Sequence, residues 1–220
     1  MEIREQDVAT IVNLLFGTLA ILFLAEANNI GIAAAFVLVC VLADGADGYL
    51  ARTRGQGSLG FQLDSLADFV SFGLAPSILV YYVVRDAVGY RSLFFLIFVV
   101  SFLYLVSGML RLARYNVAPQ EAIFSGLPIT AAGMIVALYV LTGLPPVGLL
   151  AVGLVLAGLM VSDVTYPKVR NTITLAVVGA LILLILLLYA IETNYSIISA
   201  LLLLLSIVYV LNPLYRRYFR

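Results

Sequence analysis

The sequence predicts an all-α integral membrane protein, a bundle of about eight transmembrane helices forming a single membrane domain. Of its 220 residues, 64% are hydrophobic and 11% are charged, and the mean hydropathy is +1.13. Soluble domains are about half apolar and about a quarter charged. The apolar residues fall in long continuous runs, without the alternation of apolar and polar residues that a membrane β-barrel needs. We therefore expect helices and no strands.

Eight runs approach or exceed the roughly 20 apolar residues that cross a bilayer as a helix. They are residues 8–25, 29–52, 61–84, 92–114, 127–143, 146–162, 171–191 and 196–212. The first run has no small-residue cleavage site, so we expect a retained helix and not a signal peptide. Residues 1–170 are the predicted core, and 171–212 supply two additional helices. Pro76 lies inside the third run and predicts a kink or a local loosening of that helix, with the freed backbone groups satisfied by neighbouring helices.

The distribution of basic residues predicts the orientation. If the N-terminus is cytoplasmic and eight helices alternate, only Arg85 and Arg91 fall on the outer side. The other ten basic residues fall on the cytoplasmic side: Arg4, Arg52, Arg54, Arg111, Arg114, Lys168, Arg170, Arg216, Arg217 and Arg220. Short cytoplasmic loops are enriched in Lys and Arg. We therefore expect a multi-pass protein of the cell membrane with both termini in the cytoplasm.

The composition also limits the chemistry. The net charge is zero, which gives no electrostatic basis for binding nucleic acid. Cys40 is the single cysteine, so no intramolecular disulfide forms, and there is no histidine. A His-based triad, general base or metal site is therefore excluded. Metal ligands must be carboxylates, which favour hard cations such as Mg²⁺ or Mn²⁺.

Four aspartates occupy matched faces of two consecutive runs. The second run places aspartates and small residues at spacing i, i+3, i+4 and i+7, which is one helix face: Asp44, Asp47, Gly48 and Ala51. The third run repeats this at every fourth residue: Gly60, Asp64 and Asp68. The two runs are antiparallel and joined by a short loop, so the four carboxylates should converge near the cytoplasmic surface.

Such a cluster is costly without a ligand. Each aspartate inside a membrane costs about 2.5–3.5 kcal/mol, and neighbouring carboxylates repel one another. Protonation would relieve the repulsion, and a divalent cation would do so more directly. The alternative is that the aspartates are ordinary helix-end charges paired with Arg52 and Arg54. That explanation suits one aspartate better than four on matched faces.

The spacing Asp44-x2-Asp47-Gly48-x2-Ala51-Arg52-x7-Gly60-x3-Asp64-x3-Asp68 closely resembles the signature of the CDP-alcohol phosphatidyltransferase family. The resemblance covers roughly residues 8–170. One departure is that seven residues separate Arg52 from Gly60, where the family has eight. They lie in the turn, where a deletion is tolerated.

The resemblance implies a transfer reaction in which an alcohol attacks a CDP-linked lipid and CMP leaves. By this likeness, one or two Mg²⁺ or Mn²⁺ ions bind to Asp44, Asp47 and Asp64, with Asp68 also close. Asp68 would be the general base. The residues implied to contact the CDP-lipid are Gly48, Ala51, Arg52, Gly60 and Asn13. For Asn13, a hydrogen bond between helices is an equal alternative.

Three stretches look like the phosphatidylserine synthase branch of this family: residues 64–77, residues 110–117 with 124–133, and residues 160–168. This likeness implies CDP-diacylglycerol or CDP-archaeol and L-serine as substrates, CMP as product, a membrane-lipid environment and a homodimer. Members that accept glycerol phosphate carry Pro after the third Asp and Lys after the fourth. Here those positions are Ser65 and Phe69. Glycerol phosphate or inositol phosphate nevertheless remains the alternative acceptor.

The acceptor or a lipid phosphate is expected near the end of the fourth run. Arg111 and Arg114 are candidates to bind the serine carboxylate or a phosphate, and Asn116 to add a hydrogen bond. The alternative is that both arginines are interfacial residues of the positive-inside pattern. A more distant alternative is an ion-coupled transporter, which would need polar residues through the whole membrane depth. The clustering of carboxylates at one end disfavours it.

Overall fold

The computed structural model describes residues 5–54, 58–88, 93–117, 123–167, 169 and 171–219, leaving out the side chains of 5–7, 50–54, 58, 123 and 216–219. This part of the chain is helical except for two short strands and the connecting loops. The helices are α1 (Glu5–Ala27), α2 (Ile30–Arg54), α3 (Ser58–Asp68), α4 (Ala75–Val88), α5 (Phe94–Val117), α6 (Ile129–Leu141), α7 (Gly148–Val161), α8 (Thr172–Ala190) and α9 (Ser196–Phe219). A π-helical segment, Phe69–Leu74, joins α3 to α4.

The helices follow the predicted runs and confirm a polytopic membrane protein. Within the described residues, six stretches are long and apolar enough to cross a membrane, one of them the continuous α3–π–α4 rod. The other two runs give shorter helices, α6 with 13 residues and α7 with 14. Each is about 20 Å long, because Pro128 precedes α6 and a turn with Gly143 (φ 71°) separates it from α7. Eight complete crossings therefore remain a prediction.

Successive helical passes run in opposite directions. At one end, which we call the site end, the start of α1 contacts the end of α2 through Thr10 and Asp47. At the opposite, far end, Asn28 in the α1–α2 link donates a hydrogen bond to Asp86 near the end of α4. The turn between α6 and α7 also lies at the far end, where Tyr139 donates to the carbonyl of Pro145. The aspartate-bearing ends of α2 and α3 thus lie together.

The expectation of no strands is wrong for two three-residue segments. Strand β1 (Ile123–Ser125) pairs antiparallel with β2 (Thr165–Pro167), with Phe124 opposite Tyr166. The pairing ties the segment before α6 to the segment after α7. It is reinforced by a hydrogen bond from the Gly126 N–H to the Val164 carbonyl (2.9 Å). Gly126 has φ 79°, and an added Cβ would collide with the carbonyl oxygen of Met160, so this tight join requires glycine.

The expected disturbance at Pro76 is present, as a π-helical segment just before it. The Ala75 N–H donates to the Val70 carbonyl, five residues back, whereas Pro76 has no N–H to donate. In a regular α-helix, the carbonyl of Phe72 would accept from the N–H of residue 76. Here it accepts instead from the hydroxyl of Tyr104 on α5 (3.0 Å). Tyr104 is fully buried. A neighbouring helix therefore satisfies the backbone group that proline frees, as predicted.

Replacing Tyr104 with Phe should destabilise the protein by about 1–2 kcal/mol, because the buried Phe72 carbonyl loses its donor. The measurement is the thermal unfolding midpoint in detergent. Tyr139→Phe is the matched control, because it removes a tyrosine-to-carbonyl bond from an exposed turn. An equal or larger loss of stability in the control would contradict this account of the π-helical segment.

Candidate active site

Three carboxylates from α2 and α3 form the centre of the site. Oxygens of Asp44, Asp64 and Asp68 all lie within 4.8 Å of one another. Asp68 is 7% exposed and the other two are partly buried. The i, i+4 spacing places Asp64 and Asp68 on one face of α3, and the antiparallel approach of α2 brings Asp44 to them. We call these residues, with Asp47, the acidic cluster.

Asp47 adjoins the other three from one turn further along α2. It is 3% exposed, and its carboxylate accepts a hydrogen bond of 2.6 Å from the hydroxyl of Thr10 on α1. Its carboxyl group also lies within hydrogen-bonding range of that of Asp64. All four predicted carboxylates are therefore neighbours, with α1 packed against them.

Asn13 on α1 connects the acidic cluster to the π-helical segment. Its amide nitrogen donates to Oδ1 of Asp68 (3.1 Å), which is the helix-to-helix bond considered as one of its two predicted roles. Its backbone carbonyl accepts from the hydroxyl of Ser71 (3.0 Å). This close approach depends on Gly17, because an added Cβ there would collide with Ser71. Among the described residues, the buried Oδ1 of Asn13 has no hydrogen-bond partner, so it can accept from a ligand.

Thr130 is a site residue that the sequence did not reveal. It lies in the first turn of α6 and donates to Oδ2 of Asp44 (3.2 Å). The N-terminal end of a helix carries a partial positive charge, which favours a carboxylate beside it. The sequence signal is a threonine two residues after Pro128, where a helix is expected to start, within the stretch 124–133 that carries part of the family likeness. Nothing in that signal indicates a contact with a residue 86 positions away.

Arg111 is a buried cation beside the acidic cluster. It is 6% exposed, and its charge interacts with those of Asp68 and Asp44. Its guanidinium carbon lies 4.9 Å from the ring centroid of Phe124 and 5.4 Å from that of Tyr115. Aromatic faces attract a guanidinium at such distances. Arg111 therefore brings a positive charge to the site and is supported from behind by rings.

The other two predicted acceptor residues bind the chain itself. Arg114 donates to the carbonyls of Val161 (2.8 Å) and Ser162 (3.2 Å), at the end of α7. Carbonyls at a helix C-terminus lack intrahelical donors, so Arg114 acts as a cap. Asn116 accepts a hydrogen bond of 3.0 Å from the hydroxyl of Ser65 on α3. Of the three predicted acceptor residues, Arg111 is therefore the one that is buried, with its charge interacting with the acidic cluster.

The predicted nucleotide-contacting residues lie on the helix ends beside the acidic cluster. Gly60 is buried near the start of α3, and Gly48 is partly buried on α2. Ala51 and Arg52 belong to the last turn of α2, and their side chains lie outside the described residues. The contact of Arg52 with the nucleotide phosphates therefore stays a prediction.

The donor set fits a hard divalent cation. Three converging carboxylates supply oxygen ligands of the kind that Mg²⁺ and Mn²⁺ prefer, and Asp47 lies next to them. Buried like charges this close are unfavourable unless they are neutralised. Arg111 offsets part of the charge, and a bound cation would offset much of the rest.

A family model for CDP-alcohol phosphatidyltransferases matches residues 7–164. The chain belongs to the CDP-alcohol phosphatidyltransferase family. The matched region of this family member contains the whole acidic cluster, Asn13, Arg111 and Thr130. It ends just before β2, so that β2, α8 and α9 lie beyond it.

Relatives of this phosphatidyltransferase occur in archaea and bacteria. It is 34% identical over 168 residues to archaetidylserine synthase of Methanothermobacter thermautotrophicus, covering 74% of this chain and 69% of that protein. It is 34% identical over 211 residues to a CDP-diacylglycerol–serine O-phosphatidyltransferase of Methanocaldococcus jannaschii, covering 90% and 94%. The enzyme of that name from Bacillus subtilis is 38% identical over 164 residues, covering 74% and 89%.

Proposed function

We propose that this protein transfers the phosphatidyl or archaetidyl group of a CDP-linked lipid to the hydroxyl of L-serine and releases CMP. The observation that carries the proposal is the buried acidic cluster with Arg111 beside it, in a member of this family. The substrates would be CDP-diacylglycerol or CDP-archaeol and L-serine, as the names of the similar relatives suggest.

Asp68 is the proposed general base. The serine oxygen forms a bond to the phosphorus that carries the lipid, the bond from that phosphorus to the CMP oxygen breaks, and CMP leaves. The proton of the serine hydroxyl passes to Asp68. The amide of Asn13 holds Oδ1 of this carboxylate, which leaves Oδ2 as the atom that takes the proton. A positioned base contributes about 10²- to 10⁴-fold to such a reaction.

The acidic cluster is the proposed site for one or two Mg²⁺ or Mn²⁺ ions. Asp44, Asp47 and Asp64 would hold the ion, with Asp68 close to it. The bound cation would neutralise the diphosphate and make CMP a better leaving group. Thr10 and Thr130 orient the carboxylates of Asp47 and Asp44 by hydrogen bonds.

The nucleotide would lie against the small residues at the ends of α2 and α3, namely Gly48, Ala51 and Gly60. Arg52 would contact its phosphates. The Oδ1 of Asn13, which has no partner among the described residues, is suited to accept a hydrogen bond from the bound CDP-lipid. Asn13 would then serve both roles considered for it, with its nitrogen on Asp68 and its oxygen on the ligand.

Arg111 is the proposed anion-binding residue for the acceptor carboxylate or a lipid phosphate. A phosphorylated acceptor such as glycerol phosphate or inositol phosphate carries about two negative charges and would need further cations. Among the side chains that the structure describes, Arg111 is the cation at the acidic cluster, because Arg114 caps α7. This favours serine. Lys168 and Arg170, also possible cations here, lie outside the described residues.

The proposed setting is the cell membrane, with eight spans, both termini cytoplasmic and the site end facing the cytoplasm. This orientation rests on the distribution of basic residues. A cytoplasmic site gives water-soluble serine and CMP direct access to a lipid-borne diphosphate. A homodimer is the assembly that the family resemblance implies.

CMP release by the purified protein in detergent tests this proposal. With Mn²⁺ and CDP-diacylglycerol present, we expect release when L-serine is added and none with glycerol 3-phosphate or inositol phosphate. Release with a phosphorylated acceptor but not with serine would reject serine as acceptor. Absence of release with every acceptor, together with ion flux in liposomes, would replace the enzyme by an ion-coupled transporter.

A further inference from the structure

The residues that contact Arg111 are connected through β1 and β2 to α9. Phe124, which contacts the Arg111 guanidinium, lies on β1 directly opposite Tyr166 on β2. Residues directly opposite in an antiparallel pair project from the same face. Tyr166 is fully buried, and its ring centroid is 5.7 Å from that of Tyr209 on α9. A chain of contacts thus runs from Arg111 through β1 and β2 to α9.

Two tyrosine hydroxyls fasten α9 to β2 in opposite directions. Tyr209 donates to the carbonyl of Pro167 on β2 (3.1 Å), and Tyr166 donates to the carbonyl of Val210 on α9 over a longer distance, 3.5 Å. Tyr209 also lies within electrostatic range of Arg111 itself. None of these α9 residues belongs to the region that the family model matches, which ends at residue 164.

In the described part of the chain, the Arg111 guanidinium contacts aromatic rings and forms no direct ion pair. Among the described residues, its close contacts are with Phe124 and Tyr115, and the ion pairs within 4.0 Å are formed by Arg85 and Arg114 instead. A flexible arginine beside four aspartates would gain Coulomb energy by moving onto them. Contact with the rings opposes this movement and leaves the N–H donors of a buried guanidinium available.

We propose that Phe124, Tyr166 and Tyr209 are positioning residues for Arg111. Through β2 and β1, α9 holds the ring of Phe124 against the guanidinium, and the guanidinium then presents its N–H groups to an anionic oxygen of a substrate. That oxygen belongs to the serine carboxylate or to the phosphate of the CDP-lipid. The inference rests on the proposed function, because it assigns Arg111 a substrate contact. It makes α9 a part of the substrate site.

Steady-state kinetics of single variants test the proposal. Tyr209→Phe removes the hydroxyl that bonds to Pro167 and keeps the ring, and Phe124→Leu removes the ring from Arg111. The matched control is Tyr139→Phe, which removes the same type of bond, tyrosine hydroxyl to proline carbonyl, at the far end of α6. For each protein, KM is measured for serine at saturating CDP-diacylglycerol and for CDP-diacylglycerol at saturating serine, together with kcat.

We expect both variants to raise one of the two KM values by about five- to tenfold, because part of a charge-assisted contact is lost. The kcat should change less than about twofold. The substrate whose KM rises identifies the anion that Arg111 binds. The control should match the wild type. Unchanged KM values for both substrates, a fall in kcat alone, or an equal rise in the control would each overturn the proposal.

Combining Tyr209→Phe with Arg111→Lys separates positioning from general loosening of the fold. If Tyr209 acts through Arg111, its substitution adds little to the KM of the Arg111→Lys protein, whereas independent effects multiply. If the KM increases of the two single variants multiply in the double variant, the proposal is contradicted. The proposed function fails separately, by the absence of serine-dependent CMP release from the wild type. If the wild type releases CMP with serine and the Tyr209→Phe protein has the same KM values as the wild type, the inference is rejected while the proposed function stands.

Discussion

Asp68→Asn should lower kcat for serine-dependent CMP release by about 10²- to 10⁴-fold, the usual contribution of a positioned general base. Asparagine has nearly the same shape, and its oxygen can still accept the hydrogen bond from Asn13 that Oδ1 of Asp68 accepts now. It has no carboxylate to take the proton of the serine hydroxyl. The protein should therefore remain folded while losing turnover.

Asp86→Asn is the matched control for this experiment. Asp86 lies at the far end of α4, where it pairs with Arg85 and accepts from Asn28. Such a partly exposed pair is worth about 0–1 kcal/mol, and kcat should stay near the wild-type value. A turnover of Asp68→Asn within a few-fold of the wild type would remove Asp68 from the role of base.

Chelating divalent cations with EDTA should abolish CMP release, and Mg²⁺ or Mn²⁺ should restore it. Asp44→Asn should raise the cation concentration needed for half-maximal activity by about tenfold or more, since a loss of 1.4 kcal/mol in binding is a factor of ten. Asp68→Asn should instead act mainly on kcat. The two carboxylates are thereby distinguished although their oxygens lie within 4.8 Å of each other.

Thermal unfolding gives a second measure of the cation site that does not depend on turnover. Asp44→Asn removes one of several repelling charges, so without cation the variant should unfold at a higher temperature than the wild type. Mn²⁺ should raise the wild-type midpoint, since a ligand that binds the folded state stabilises it, and raise that of the variant less. Retained activity in EDTA, or an equal Mn²⁺ shift in both proteins, would contradict a cation site at Asp44.

Local sequence patterns were sufficient to predict the helices and the acidic cluster. A run of apolar residues fixes the position of a membrane helix, so the predicted runs and the observed helices differ mainly at their ends. The i, i+4 spacing of Asp64 and Asp68 fixes their common face on α3. A short connection makes α2 the antiparallel neighbour, which brings Asp44 within reach. Each step uses residues close together in the sequence.

The parts of the site that sequence reasoning missed depend on contacts between distant segments. Thr130 and Asp44 are 86 residues apart, and β1 meets β2 only because α6 and α7 form a hairpin between them. Sequence spacing likewise makes both Arg111 and Arg114 candidates for the same role, with Arg111 set deeper in the fourth run. Their different roles follow from the end of α7, whose carbonyls lie beside Arg114. No local spacing contains that information.

The fastening of α9 to β2 has a consequence for the order in which the protein matures during synthesis. Translation proceeds from the N-terminus, so the helices that carry the acidic cluster enter the membrane before α9 exists. Until α9 arrives, the carbonyl of Pro167 lacks the hydroxyl of Tyr209 that donates to it, and the hydroxyl of Tyr166 lacks the carbonyl of Val210 that accepts from it. A nascent chain would therefore hold its aspartates in place before α9 completes the contacts behind Arg111.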